Sequence, residues 1–418
     1  VRFERLSDWL SWQETLHFQK IQLGLDRVRQ VGERLALGAA PFAVITVAGT
    51  NGKGSSAALL EAMLTSAGYR VGTYTSPHLL HYNERIRING QEVSDETLCW
   101  AFDRVDQARG EIALTYFEFG TLAALVLFFE TGLDAVVLEV GMGGRLDAVN
   151  YLDPDVALVT TVGIDHTAWL GSDRESIGRE KAGIFRAHRP AVYNDLDPPQ
   201  SLMQRARELE TQLYHLGADY QYAEDARSWS WQGLGQHYDS LPLPALHGAF
   251  QRKNAAGVLA ALTLIRGRLP VSEQAIRQGL QRVGLPGRFQ VLEGPVARIL
   301  DVAHNPQAAG VLAQALHEEP CTGRTVAVFS ILADKDIAGV VAALADVVEV
   351  WYVAGLDTER AAPTERIESV LRARGAAVAV HRSVTMAYTQ ALAQARSGDR
   401  VVVFGSFYTV AEVLTKGL

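Results

Sequence analysis

Val44-Ile45-Thr46-Val47 leads through Ala48 into Gly49-Thr50-Asn51-Gly52-Lys53-Gly54-Ser55, and Leu60, Met63, Leu64 and Ala67 follow. The first four residues are a β-branched run of strand type. The last four fall at i, i+3, i+4 and i+7, one face of a helix that Gly68 can close. The glycines therefore lie in a turn between a strand and a helix. There, backbone N–H groups and the positive end of the helix dipole point at one spot, which reads as a phosphate cradle. Lys53 adds a mobile positive charge for the outer phosphates. The spacing departs from G-x-x-x-x-G-K-[ST], because Val47 holds the first glycine position and Gly54 separates Lys53 from Ser55. A flexible turn with an exposed lysine is the competing reading, and the strand-loop-helix context weighs against it. Ser55 is read equally as a phosphate or metal contact and as the N-cap of the helix.

Outward from this turn, β-branched runs keep alternating with helical patterns, the mark of parallel βαβ units. Leu133 to Val140 and Val156 to Val162 read as two further buried strands, each ending in a polar loop that contains glycine. Residues 187 to 246 are less regular, with Trp229, Trp231 and prolines from Pro198 to Pro242, and read as a small sheet attached to the first domain. Val283-Gly284-Leu285-Pro286-Gly287 reads as a linker. After it the pattern restarts with runs at Val296 to Val302, Thr325 to Ile331, Val347 to Val353, Ala376 to Val380 and Arg400 to Phe404. The expected architecture is α/β, with a P-loop-type, mostly parallel sheet domain over 1–284 and a smaller Rossmann-like domain over 285–418.

With 418 residues, 48% hydrophobic and 21% charged, the chain is long enough for two cores of ordinary globular composition. The net charge of -8 argues against a broad nucleic-acid surface, which needs clustered Lys and Arg. Residues 1 to 30 lack the apolar stretch of a signal peptide. Runs such as Leu122 to Phe129 and Ala135 to Leu138 are short of the roughly 20 residues of a membrane span. Cys99 and Cys321 are far apart and outside any CxxC spacing, so they read as reduced thiols. The expectation is a cytoplasmic monomer acting on small molecules.

The string GTNGKGS resembles the loop of the folylpolyglutamate synthase and dihydrofolate synthase family, relatives of the Mur ligases. Three more segments are similar in order and spacing: Thr75-Ser76-Pro77-His78-Leu79 with Asn83-Glu84-Arg85-Ile86-Arg87, then Glu139 to Ala148 (EVGMGGRLDA), then Gly163-Ile164-Asp165-His166. The resemblance implies ATP contacts at Asn51, Gly52, Lys53, Gly54 and Ser55, and magnesium ligands at Ser76, Glu139 and His166. Magnesium prefers oxygen donors, which suits Glu139 and a serine hydroxyl. An imidazole is less typical, and on chemistry alone His166 divides evenly between ligand and loop-capping hydrogen bonder. Alone, Lys181 in Arg179-Glu180-Lys181-Ala182-Gly183 reads as a solvated helix lysine. The family resemblance implies carbamylation there, giving an anion that helps hold a second Mg2+ and makes Lys181 a catalytic candidate beside Lys53. K+ is weighed as an additional cation.

Thr115, Tyr116, Phe117 and Glu118, with Leu146, Asp147 and Ala148, match the family's pteroate or folate contacts. For Phe119 a place in a core helix is the better reading. Asp26 and Arg27 resemble a substrate-side stretch. Asn254, Arg288 and Asp301 match ATP positions, His304 and Ser406 match glutamate positions with His304 also catalytic, and Lys335 is a further charge. These residues are expected at the carboxyl ends of strands facing the linker, with the site between the domains. The resemblance implies an ATP-dependent ligase that adds L-glutamate to dihydropteroate and to reduced folates through an acyl phosphate. A monofunctional folylpolyglutamate synthase is the alternative. A Mur-type peptidoglycan ligase is disfavoured because the stretch ahead of Gly49 is too short for its nucleotide-sugar domain. A non-ligase ATP switch would bind or hydrolyse ATP regardless of pteroate and glutamate.

Overall fold

The strand ahead of the glycine turn is β1 (Ala43–Ala48), and every residue in it is buried, as a central parallel strand with both faces covered requires. The computed structural model describes residues 2–17, 22–225 and 227–416. The main sheet adds β2 (Val71–Tyr74), β3 (Ile86–Ile88), β4 (Gln91–Glu92), β5 (Ala135–Glu139), β6 (Val156–Val159), β7 (Pro190–Tyr193) and β8 (Gln212–His215). Its order is β4-β3-β2-β5-β1-β6-β7-β8. All neighbours from β2 to β8 run parallel, and β3 and β4 form an antiparallel edge. β5 and β6 both pair with β1, so the loops after these three strands emerge side by side at one edge of the sheet. A separate antiparallel sheet follows, made of β9 (Tyr220–Glu224), β10 (Ser228–Gly233) and β11 (Gln236–Pro242).

The chain divides into two compact units. The first holds the chain before Leu79, then Tyr82–Ala245 and Arg252–Val283; the second holds Leu79–His81, Leu246–Gln251 and the chain from Gly284 onward. In the first unit the helix Lys53–Ser66 packs on β1, β2 and β5 and on the helix Glu273–Arg282. The helix Tyr116–Glu130 is buried along most of its length, and Phe119 lies wholly in the core against Trp9, Trp12 and Phe102, as its apolar setting led us to expect. The second unit is a sheet of β12 (Gln290–Leu292), β13 (Ala297–Leu300), β14 (Thr325–Phe329), β15 (Val350–Ala354), β16 (Ala377–His381) and β17 (Arg400–Phe404), ordered β12-β13-β17-β14-β15-β16. Only β12 is antiparallel, and apolar clusters cover both faces.

Two expectations are corrected. The run from Val156 does not stay in the sheet to Val162. It ends at Val159 because Thr160 and Thr161 turn onto the glycine loop, where Thr160 Oγ1 donates to the Asn51 carbonyl at 2.6 Å and Thr161 O accepts from Thr50 N–H at 2.8 Å. The irregular middle is not one small sheet: β7 and β8 extend the main sheet, and only β9, β10 and β11 stand apart from it. Among the described residues no helix is long and apolar enough to cross a membrane.

Candidate active site

Gly52 is the N-cap of the helix Lys53–Ser66, and its φ of 86° lies in the left-handed region open to glycine. Ser55 is therefore the third residue of that helix and not its cap, which removes the N-cap reading; it is buried at the loop. Thr50 Oγ1 donates to Gly163 O and accepts from Gly163 N, both at 3.0 Å, tying the loop to the segment that leads to His166. Lys53 Nζ donates back to the carbonyls of Gly49 at 3.1 Å and Thr50 at 3.3 Å, so the ammonium is folded over its own loop.

Asn254 departs from its expected place. It lies on the helix Phe250–Leu264 within the first unit, not at a strand end, and its Oδ1 is 2.6 Å from where a Cβ on Gly52 would stand. That helix reaches the loop because its start is anchored, with Asn194 Nδ2 donating to Lys253 O at 2.8 Å.

On one flank of β1, Glu139 ends β5 with its carboxylate buried. Its Oε2 accepts from the backbone N–H of Ser76 at 3.1 Å, so two of the expected metal ligands are neighbours. On the other flank, His166 lies several residues beyond the end of β6, in the left-handed region at φ 52°. Its side chain does not cap the helix Thr167–Leu170, which removes that form of the capping reading. Its Nε2 is 3.9 Å from Asp165 Oδ2. Among the described residues no three His, Cys, Asp or Glu side chains are grouped to hold a metal. A hydroxyl, a carboxylate and an imidazole on separate loops fit a cation that takes its remaining ligands from water and phosphate.

The EVGMGGRLDA segment wraps beneath. Asp147 accepts from Met142 N–H at 2.9 Å and Val149 N–H at 3.0 Å. Burial pushes its carboxyl up to about 7, against the pull of those amides, that of Gly141 and the Lys53 charge. Lys181, expected as a solvated helix lysine on its own reading, is buried at the end of the helix Arg174–Lys181. Burial first, and then the charge of Lys53, bring its amine down to about 7 against the opposing pull of Asp165 and Asp147. The segment is held in place by Arg145, whose N–H donates to Glu180 O and whose guanidinium pairs with the Glu180 carboxylate, both at 2.8 Å.

Beside it, Thr115 and Glu118 form a reciprocal capping box at the start of the helix Tyr116–Glu130. Glu118 is buried, and its carboxylate also takes a fork of hydrogen bonds from Arg27, with Nη2 at 2.8 Å. Its partners are thus Thr115 N–H and Arg27. The Phe117 ring closes over Gly141, where a Cβ would meet it at 2.7 Å, and Tyr116 packs edge-on to Tyr82. Leu146 O accepts from Gly24 N–H at 3.3 Å, and Ala148 is buried in the turn that Asp147 caps. The structure thereby gathers Arg27, Thr115 to Glu118 and Leu146 to Ala148 in one region.

In the second unit, Asp301 follows β13. Its two oxygens accept from Phe289 N–H at 2.8 Å and Ala303 N–H at 2.7 Å, and burial raises its carboxyl. Arg288 lies over the Phe407 ring at 4.8 Å, a cation on an aromatic face. The His304 ring is 6.4 Å from the same ring. Ser406 caps the helix Phe407–Thr415, accepting from Thr409 N–H at 3.0 Å. Lys335 is buried, with Nζ 3.9 Å from Asp334 Oδ2. Sequence reasoning overlooked Phe407, Thr160 and Thr161. Phe407 directly follows Ser406, a position the resemblance had marked, whereas nothing in the spacing marked the threonines.

The Mur ligase middle domain family matches residues 47–262, and the Mur ligase, glutamate ligase domain family matches 287–407. A dihydrofolate synthase/folylpolyglutamate synthase of Escherichia coli is 47% identical over 98% of this chain and 94% of its own length. A structure of E. coli FolC in complex with DHPP and ADP is 46% identical, covers 99% of this chain and 97% of that one, and superposes with a TM-score of 0.94. A bifunctional folylpolyglutamate synthase/dihydrofolate synthase with Mn, AMPPNP and L-glutamate bound is 47% identical over 99% and 98%, with a TM-score of 0.92. These likenesses in sequence and fold run along nearly the whole length of both partners, and the chain belongs to the dihydrofolate synthase/folylpolyglutamate synthase family of Mur ligases.

Proposed function

We propose that the protein is an ATP-dependent amide ligase that adds L-glutamate to dihydropteroate and to the glutamyl carboxylate of reduced folates. The observation that carries this reading is the glycine loop with Lys53 folded over it, flanked by the Ser76–Glu139 pair and sharing its field with Asp147 and Lys181. Related enzymes were captured with DHPP and ADP, and with Mn, AMPPNP and L-glutamate, which supports the substrate set. Residues 1–284 serve as the ATPase region and 285–418 as the glutamate-ligase region.

A carboxylate and an ammonium do not condense in water, so the acid is activated first. The substrate carboxylate attacks the γ-phosphorus of ATP, giving an acyl phosphate and ADP, and the neutral α-amine of glutamate then displaces phosphate. Asn51, Gly52, Gly54 and Ser55 present the loop to the phosphates, and Lys53 swings from the Gly49 and Thr50 carbonyls onto them. Asn254, Arg288 and Asp301 hold the nucleotide, with Arg288 suited to phosphate oxygens. Ser76, Glu139 and His166 would hold Mg2+, and a carbamylated Lys181 would help with a second; such a cation neutralises charge on the phosphoryl oxygens. K+ is an additional candidate. Thr115, Tyr116, Phe117 and Glu118, with Leu146, Asp147 and Ala148, line the pteroate side, Glu118 acting through Arg27. His304 and Ser406 receive glutamate. A cytoplasmic monomer is the expected form.

ADP release with ATP and glutamate, compared between dihydropteroate and tetrahydrofolate, tests the reading. Release with both supports two activities, and release with tetrahydrofolate alone reduces the enzyme to a folylpolyglutamate synthase. Oxygen label in the substrate carboxylate should appear in phosphate; label retained wholly in the amide sinks the acyl-phosphate route.

A further inference from the structure

Arg85 closes the turn Tyr82–Arg85, is 8% exposed, and pairs with no carboxylate among the described residues. Two other arginines of the first unit, Arg27 and Arg87, hold Glu118 and Glu61 at 2.8 and 2.9 Å. Arg85 Nε instead donates to His78 Nδ1 at 2.8 Å, and the guanidinium carbon lies 5.2 Å from the centre of the Tyr82 ring and 5.7 Å from that of Tyr116. The Tyr74 hydroxyl also feels its charge and accepts a side-chain hydrogen bond from it. Aromatic faces attract a cation, but they offer no in-plane lone pairs to the N–H groups on its outer nitrogens. Those nitrogens are not among the polar atoms sealed from solvent, so the N–H groups that the Tyr74 hydroxyl leaves over are open to a ligand. The Tyr82 hydroxyl beside it is sealed and has no hydrogen-bond partner. A sealed, unsatisfied phenol is costly until an oxygen acceptor arrives.

The chemistry of the acceptor follows from the surroundings. Tyr74 packs on Phe117 at 5.9 Å, and Phe117 lies against Gly141, so the fork borders the aromatic segment assigned above to pteroate. A planar fork matches two coplanar oxygens, and the phosphates already have the glycine loop and Lys53. We infer that Arg85, set among Tyr74, Tyr82 and Tyr116, binds the carboxylate of the acyl substrate and selects the free acid over neutral derivatives. This rests on the function proposed above, because it takes a pteroate-type acid as the ligand.

The test is a titration of the full chain, holding ADP and magnesium, with pteroic acid and with its carboxamide, read by tryptophan fluorescence. The wild type should prefer the acid by about 10- to 100-fold, the worth of a charge-assisted hydrogen bond. Arg85→Met should bring the ratio to about one, while ADP affinity and the KM for glutamate stay unchanged. Arg85→Lys, which keeps charge without the fork, should fall between; should Arg85→Met lose ADP, Arg85→Lys alone carries the comparison. Acid preference surviving in the substituted enzyme, or a defect confined to the glutamate KM, overturns the inference. A wild type that binds neither compound refutes the parent reading instead.

Discussion

Asn254 Oδ1 occupies the space that a Cβ on Gly52 would need, at 2.6 Å, while Gly52 itself sits at φ 86°. Both facts forbid a side chain at the head of the phosphate loop. Gly52→Ala should cost about 1–2 kcal/mol of backbone strain and displace Asn254, weakening AMPPNP binding about tenfold or more. Calorimetric titration of purified variant and parent would show it, and equal affinities would refute the crowding argument.

Lys181 is held near neutrality by burial first and by Lys53 second, with an amine at about 7 where a lysine normally sits at 10.5. The neutral amine is the form that captures carbon dioxide. Uptake of labelled bicarbonate, followed by carbon NMR, should therefore rise between about pH 6 and 8 with a midpoint near 7, and vanish in Lys181→Met. A midpoint near 10.5 would contradict the burial argument. Because the folded pKa is the lower one, the charged amine costs stability in full below about 7. Lys181 then adds stability as pH climbs from about 7 to 10.5.

Glu118 is shared between its capping box and Arg27, with side-chain exposures of 4% and 22% for the pair. Removing one partner leaves a buried charge, so Arg27→Ala should destabilise by about 3–5 kcal/mol. Glu118→Ala also loses the acceptor for Thr115 N–H and should cost at least as much. A double-mutant cycle in urea should return a coupling above about 1 kcal/mol; a coupling near zero would mean that the two side chains act independently.

Ser406 is both a helix cap and a glutamate-site candidate. Ser406→Ala should lose about 1 kcal/mol through the Thr409 N–H. Ser406→Thr, which keeps a hydroxyl, should regain most of that stability. If the hydroxyl also meets glutamate, the KM for glutamate will rise in Ser406→Ala and recover in Ser406→Thr. An alanine variant with an unchanged KM restricts Ser406 to capping.

The alternation of strands and helices was legible because its signals are local. Val44 to Val47 and the Leu60, Met63, Leu64, Ala67 stripe declare their periods within a few residues, and Arg400 to Phe404 became β17 without change. The four-residue β7 was missed because a run of that length is shared by turns and helices, and only pairing with β6 and β8 makes it a strand.

At the candidate site, residue types were legible and their partnerships were not. Ser76 and Glu139 were named as metal ligands, but their direct contact needed β2 and β5 to pair. By itself the chain determined a phosphate-binding turn, because glycine's access to positive φ and a helix's unpaired N–H groups are properties of a short segment. Only the tertiary structure decided that Lys181 is buried, that Thr160 rather than a longer strand secures the loop, and that Arg27 reaches Glu118 across 91 positions. Burial and ion pairing depend on which distant residues share a low-dielectric space. The strand order β5-β1-β6 sets that, and no local pattern encodes it.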